Sequence, residues 1–142
     1  MSHPKILLIE DNGSDAYLLR RALQLCDPAV EVTLLTDGES AIQHVREQHG
    51  VEDDEHPCVI VLDLGLPRYN GLEVLRTIRS ESTLNHVHVV VVAGAASPRE
   101  EESLRELGAH FRRKPSDLSD YDGLAQEILE LCRSGVSTSK TA

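Results

Sequence analysis

Three short runs, Lys5–Ile9 (KILLI), Cys58–Leu62 (CVIVL) and Val87–Val92 (VHVVVV), are apolar at almost every position and rich in β-branched residues. A strand with one wet face alternates apolar with polar. Runs that do not alternate belong to strands covered on both faces, as in a parallel sheet with helices above and below. Glu31–Leu35 (EVTLL) reads as a further strand, and Ala109–Arg113 (AHFRR) as a last, weaker one. Between these segments the apolar period changes to that of a helix. Ser14 is placed to cap a helix with Leu19, Ala22, Leu23 and Cys26 on one face. Gly38–His49 carries Ala41, Ile42 and Val45 as its stripe, and Gly71–Arg79 carries Leu72, Leu75 and Ile78. Ser97 and Pro98 suit the cap and first turn of the next helix. Asp117–Cys132 closes the pattern with Tyr121, Leu124, Ile128 and Leu131. Strand alternating with helix five times predicts an α/β, doubly wound (βα)5 sheet.

The chain has 142 residues, which suits one domain with a core that needs no staple. A net charge of −10 argues against DNA or RNA as a partner, because phosphate affinity comes from clustered Lys and Arg. Cys26, Cys58 and Cys132 fit no CxxC pattern and are expected to be buried free thiols in a reducing cytoplasm. No apolar run approaches the length of a membrane span, and Met1–Lys5 has no signal-peptide pattern, so a cytoplasmic protein is expected. The small, polar residues 134–142 are expected to form a disordered tail.

Charge interrupts the apolar runs at telling places. The first strand ends in Glu10-Asp11 and the third in Asp63, while Lys114-Pro115 follows the fifth. In an open α/β sheet the ligand crevice lies outside the carboxyl ends of the strands, where strand order reverses. Carboxylates gathered there repel unless a proton or cation intervenes. An all-oxygen set favours a hard ion such as Mg2+. An aspartate beside such an ion and a lysine is suited to accept a phosphoryl group, attacking as a carboxylate nucleophile. Singly, each of these residues would pass as a solvated strand-end charge; four at matching strand ends favour the functional reading.

The segments ILLIEDN at 6–12, VLDLGLPRYNGLEVLRTIR at 61–79 and LGAHFRRKP at 107–115 resemble the receiver domain of two-component response regulators over residues 4–133. The overall pattern is most similar to stand-alone regulators that partner phytochrome-type sensor kinases. The resemblance implies a flavodoxin-like three-layer sandwich with strand order 2-1-3-4-5. It implies that Asp63 is the phosphoacceptor, taking its phosphoryl group from a phosphohistidine of a sensor histidine kinase or phosphotransfer protein. Asp11 and Asp63 would ligate Mg2+, with Gly65 through its carbonyl and Glu10 largely through water, and Lys114 would contact the phosphoryl oxygens. Gly65 and Gly71 would let the backbone approach the pocket. Such a protein is a phosphoacceptor, at most its own phosphatase, and signals through a downstream protein partner or a homodimer on its fourth helix, fifth strand and fifth helix.

Two switch positions depart from the family pattern. Ala93 stands where receivers carry Ser or Thr, and Phe111 where Tyr is common. A hydrogen bond to a charged group is worth about 1.5–3 kcal/mol, so the missing hydroxyl predicts a muted or rewired output with phosphate acceptance intact. A degenerate receiver, acting as a phosphorylation-independent adaptor, is the alternative. His86 and His88 share a side of the predicted fourth strand and are expected to be an edge-strand surface pair. A hydrolase of the aspartyl-phosphate type would need an acid two residues after Asp63, where Gly65 stands.

Overall fold

The structure, a computed structural model, describes residues 3–51 and 55–134. Five parallel strands lie in the order β2-β1-β3-β4-β5: β1 (Lys5–Ile9), β2 (Glu31–Leu35), β3 (Val59–Asp63), β4 (His88–Ala93) and β5 (His110–Arg113). The residues of β1 from Ile6 onward, all of β3 and β4 from Val89 onward are buried, as runs without alternation require. Helices α1 (Gly13–Cys26), α2 (Gly38–Glu47), α3 (Gly71–Ser80), α4 (Pro98–Glu106) and α5 (Leu118–Ser134) cover both faces.

Two apolar layers result. Leu7, Ile9, Ile60, Leu62, Val89 and Val91 face the stripes of α2, α3 and α4, including Ala41, Val45, Leu75, Ile78 and Leu104. Ile6, Leu8, Val59, Val61, Val90 and Val92 face α1 and α5, meeting Leu19, Leu23, Tyr121, Leu124 and Ile128. The alternation that β1, β3 and β4 do not show in polarity is thus present in which layer each residue joins. The sheet is the predicted doubly wound one, and its reversal point falls between β1 and β3.

Several local expectations are corrected. The cap of α1 is Asn12, whose side chain accepts the Asp15 N–H at 2.9 Å; Ser14 already lies inside the helix. Residues Gln48–Gly50 form a separate 3-10 turn after α2, where a continuation to His49 was expected. His86 lies outside β4, and β4 is an inner strand between β3 and β5, so His86 and His88 are no edge pair. His88 instead meets His110 across the sheet, with ring nitrogens 3.3 Å apart. Cys58 and Cys132 are not free thiols. They form a disulfide with Cα atoms 5.1 Å apart, joining the residue before β3 to the last turn of α5 across 74 residues of sequence. Antiparallel packing of the closing helix on the sheet brings them together, a long-range proximity that their spacing does not announce; Cys26 is the free thiol. Ser134 ends α5, and the remainder of the expected tail, 135–142, lies outside the described residues. Among the described residues, no helix is long and apolar enough to cross a membrane.

Candidate functional site

The reversal between β1 and β3 sets Glu10 and Asp63 side by side. Ile9 pairs with Leu62, so the residues that follow them emerge at the same rim. Asp63, the last residue of β3, is 5% exposed, and Glu10 is 3% exposed, while Asp11 is open to solvent. One carboxylate oxygen from each of Glu10, Asp11 and Asp63 can be chosen so that all lie within 4.8 Å of one another. Among the described residues this is the one group of three or more metal-ligating side chains. Its donors are all carboxylate oxygens, which suits a hard divalent cation and not a soft metal.

Backbone groups orient the acids. The Gly65 N–H donates to Asp63 Oδ1 at 3.0 Å, and the Asn12 N–H donates to Glu10 Oε2 at 3.1 Å. The loop after β3 is held tightly. At Gly71 a Cβ would lie 2.7 Å from Leu64 Cα and 2.9 Å from the Asp63 carbonyl oxygen, so only glycine fits where α3 begins against the strand end. Gly65 is different, because a Cβ there would meet only Asp63 Oδ1, at 3.8 Å, so close approach does not demand a glycine. Within the same loop Arg68 takes a left-handed conformation, φ 71°, which is uncommon outside glycine. The α3 helix then starts with a capping box in which Asn70 and Glu73 satisfy each other's backbone N–H groups.

Lys114 reaches the rim from the residue after β5, where its own N–H donates to the Ala93 carbonyl at 2.9 Å. Its Nζ lies 2.8 Å from Asp15 Oδ2, 3.2 Å from Glu10 Oε1 and 3.5 Å from Asp63 Oδ2. Sequence reasoning did not single out Asp15. It stands in the first turn of α1, four residues after Asp11, and its Oδ1 accepts the Tyr121 hydroxyl at 3.3 Å. The available signal was weak: an acid at a helix N-terminus is ordinary, and Tyr121 reads as part of an apolar stripe.

The electrostatics follow from this crowding. Burial pushes the Glu10 carboxyl up to about 7, a hydrogen bond shared with Asp63 and the Asp63 charge push the same way, and the Asn12 N–H and Lys114 pull back. Burial alone would lower Lys114, but its hydrogen bond to Asp15 and the charges of Glu10 and Asp63 outweigh that and hold the ammonium firmly protonated. Burial and the neighbouring Asp15 raise the Tyr121 phenol.

The two departures also have definite places. Ala93 ends β4 beside this rim, 5% exposed. No hydroxyl follows it in Gly94, Ala95 or Ala96, and the Ser97 Oγ accepts the Glu100 N–H at 3.1 Å as the cap of α4. Phe111 pairs with Val91 and is half-buried against the α2–α3–α4 layer, whereas Arg112 turns to the other face and pairs with Glu127 of α5.

Comparison with known proteins converges on one family. The model of the response regulator receiver domain matches residues 6–121. Response regulator Rcp1 of Synechocystis sp. is 31% identical over 126 residues, covering 87% of this chain and 84% of Rcp1. The crystal structure of the phosphorylated cyanobacterial phytochrome response regulator RcpA superposes with a TM-score of 0.81 at 31% identity, over 96% of this chain and 99% of that one. The Mn2+-bound form of Rcp1 superposes with a TM-score of 0.74 at 30% identity, over 89% and 91% of the two chains. With the strand order, the rim of acids and these matches in agreement, the chain belongs to the response regulator receiver domain family.

Proposed function

We propose that the protein is a single-domain response regulator in which Asp63 accepts a phosphoryl group from a phosphohistidine of a sensor histidine kinase or phosphotransfer protein. An Asp63 carboxylate oxygen attacks phosphorus, the N–P bond of the donor breaks, and the released imidazole nitrogen takes up a proton. The observation that carries this reading is the convergence on one rim of Asp63, two further carboxylates within 4.8 Å and the Lys114 ammonium at 3.5 Å. The Gly65 N–H fixes the rotamer of Asp63 and leaves Oδ2 towards Lys114. Glu10, Asp11 and Asp63, with the Gly65 carbonyl, are the groups that would hold Mg2+. The ion supplies charge neutralisation for the phosphoryl oxygens. The Mn2+-bound form of Rcp1 and the phosphorylated RcpA support both assignments. Lys114 serves as a point charge for the incoming anion.

Ala93 cannot follow the phosphoryl group with a hydroxyl, so the readout runs through protein contacts whose switching at Ala93 and Phe111 is muted. A downstream protein partner or a second copy at α4, β5 and α5 would read it. The protein is then a phosphoacceptor, limited to hydrolysing its own acyl phosphate. A cytoplasmic location belongs to the same reading. The buried Ala93 favours, as a second reading, an adaptor that needs no phosphorylation. Intact-mass spectrometry after incubation with acetyl phosphate and Mg2+ decides between them. The expected result is one phosphoryl addition that is lost with a chelator and in Asp63→Asn. An unmodified wild-type protein would leave only the adaptor.

A further inference from the structure

We infer that Asp15, braced by Tyr121, is a positioning residue that holds the Lys114 ammonium at rest and sets how readily it is released to a phosphoryl group. The retention is a property of this structure; only the consequence for phosphoryl transfer rests on the function proposed above.

The geometry is specific. Of the three carboxylates around Lys114 Nζ, Asp15 is nearest, at 2.8 Å against 3.2 Å for Glu10 and 3.5 Å for Asp63. Both Asp15 oxygens are engaged, Oδ2 by Lys114 and Oδ1 by the Tyr121 hydroxyl. The Asp15 backbone is held as well, since its N–H is the donor that Asn12 caps. Tyr121 is 6% exposed and packed in the α1–α5 layer, so its hydroxyl is a rigid support. Side chains from α1, α5 and the end of β5 thus form one chain of contacts, Tyr121 to Asp15 to Lys114. To meet a phosphoryl group on Asp63, Lys114 must leave its shortest, charge-assisted bond, the strong kind of hydrogen bond. Asp15 therefore draws the lysine away from Asp63 at rest and competes with the phosphoryl oxygens for it. Neither Asp15 nor Tyr121 touches the reacting atoms.

The test has two arms. The chain contains three lysines, Lys5, Lys114 and Lys140, so lysine-selective isotope labelling gives few side-chain resonances. NMR of the lysine ε-methylene and ammonium groups should show Lys114 restrained in the wild type, freed in Asp15→Asn, partly freed in Tyr121→Phe and restrained again in Asp15→Glu. The Lys5 signals, from a residue paired with Glu55, should stay unchanged. In the second arm, the initial rate of Asp63 phosphorylation by acetyl phosphate with Mg2+ should rise about fivefold in Asp15→Asn, the size expected when a charged acceptor becomes a neutral one. That gain should vanish when Asp15→Asn is added to Lys114→Met. A Lys114 that is mobile in the wild type, or equally restrained in Asp15→Asn, overturns the inference, as does a rate gain that persists without Lys114. A wild-type protein that takes up no phosphoryl group would sink the proposed function, and the NMR arm would still decide the retention.

Discussion

The Glu10 carboxyl should make the metal-free protein less stable as pH rises, and its removal should be stabilising. The folded protein raises this carboxyl from an ordinary 4.5 to about 7, mainly by burial. At 1.36 kcal/mol per decade of proton affinity, that is a penalty of about 3 kcal/mol at full ionisation. Below pH 4.5 the group is protonated in both folded and unfolded chains and contributes nothing. Between about 4.5 and about 7 the unfolded chain ionises while the folded one keeps its proton, so folding loses free energy steadily. Above about 7 the whole penalty is present. Urea unfolding followed by far-UV circular dichroism, in chelator at pH 5 and pH 8, measures it; with no tryptophan in the chain, fluorescence is a poor reporter. Wild type should lose about 2–3 kcal/mol more between those two pH values than Glu10→Gln, which removes this titration and keeps the size of the side chain. Mg2+ at about a hundredfold over its dissociation constant should return about 2.7 kcal/mol to wild type at pH 8. Equal losses in wild type and Glu10→Gln would refute the premise that this carboxylate is crowded and desolvated.

Three further outcomes are expected. Reducing the Cys58–Cys132 bridge, or replacing both residues with serine, should lower stability by up to about 4 kcal/mol, the chain-entropy value for a loop of that length; coincident melts with and without reductant would contradict the bond. Gly71→Ala should cost about 2 kcal/mol or more, because the added methyl overlaps the Leu64 and Asp63 backbone, and an unchanged denaturation midpoint would show that the loop yields freely. Ala93→Thr should enlarge the phosphate-induced spectral change by supplying the missing hydroxyl, with a population shift of about one to two decades, and the same change in both proteins would refute the role of that position.

Much of the fold could be read from the chain because its causes are local. The β-branched runs and the helical stripes repeat over a few residues, and Ser97 and Pro98 mark the start of α4 as expected. Boundary errors also have local causes. Asn12 outcompetes Ser14 as a cap by lying just before the helix, and the chain tightens into a 3-10 turn after Glu47. Cys58, Cys132 and the His86–His88 pair depart from expectation for another reason, while Cys26 is the free thiol expected. A disulfide across 74 residues, and a contact between His88 and His110, depend on which elements become neighbours, and no local pattern carries that information.

The sequence alone settled that apolar strands alternate with helices and that acids and a lysine stand at their carboxyl ends, because period, capping and strand-end charge are written in consecutive residues. Only the tertiary structure decided what those charges meet. Asp15 becomes the partner of Lys114, and Tyr121 that of Asp15, because α1 and α5 pack on the same face of the sheet beside the end of β5. That juxtaposition joins residues 106 positions apart. It is fixed by how the helices pack on a twisted sheet, a property of the assembled layers that no single segment contains.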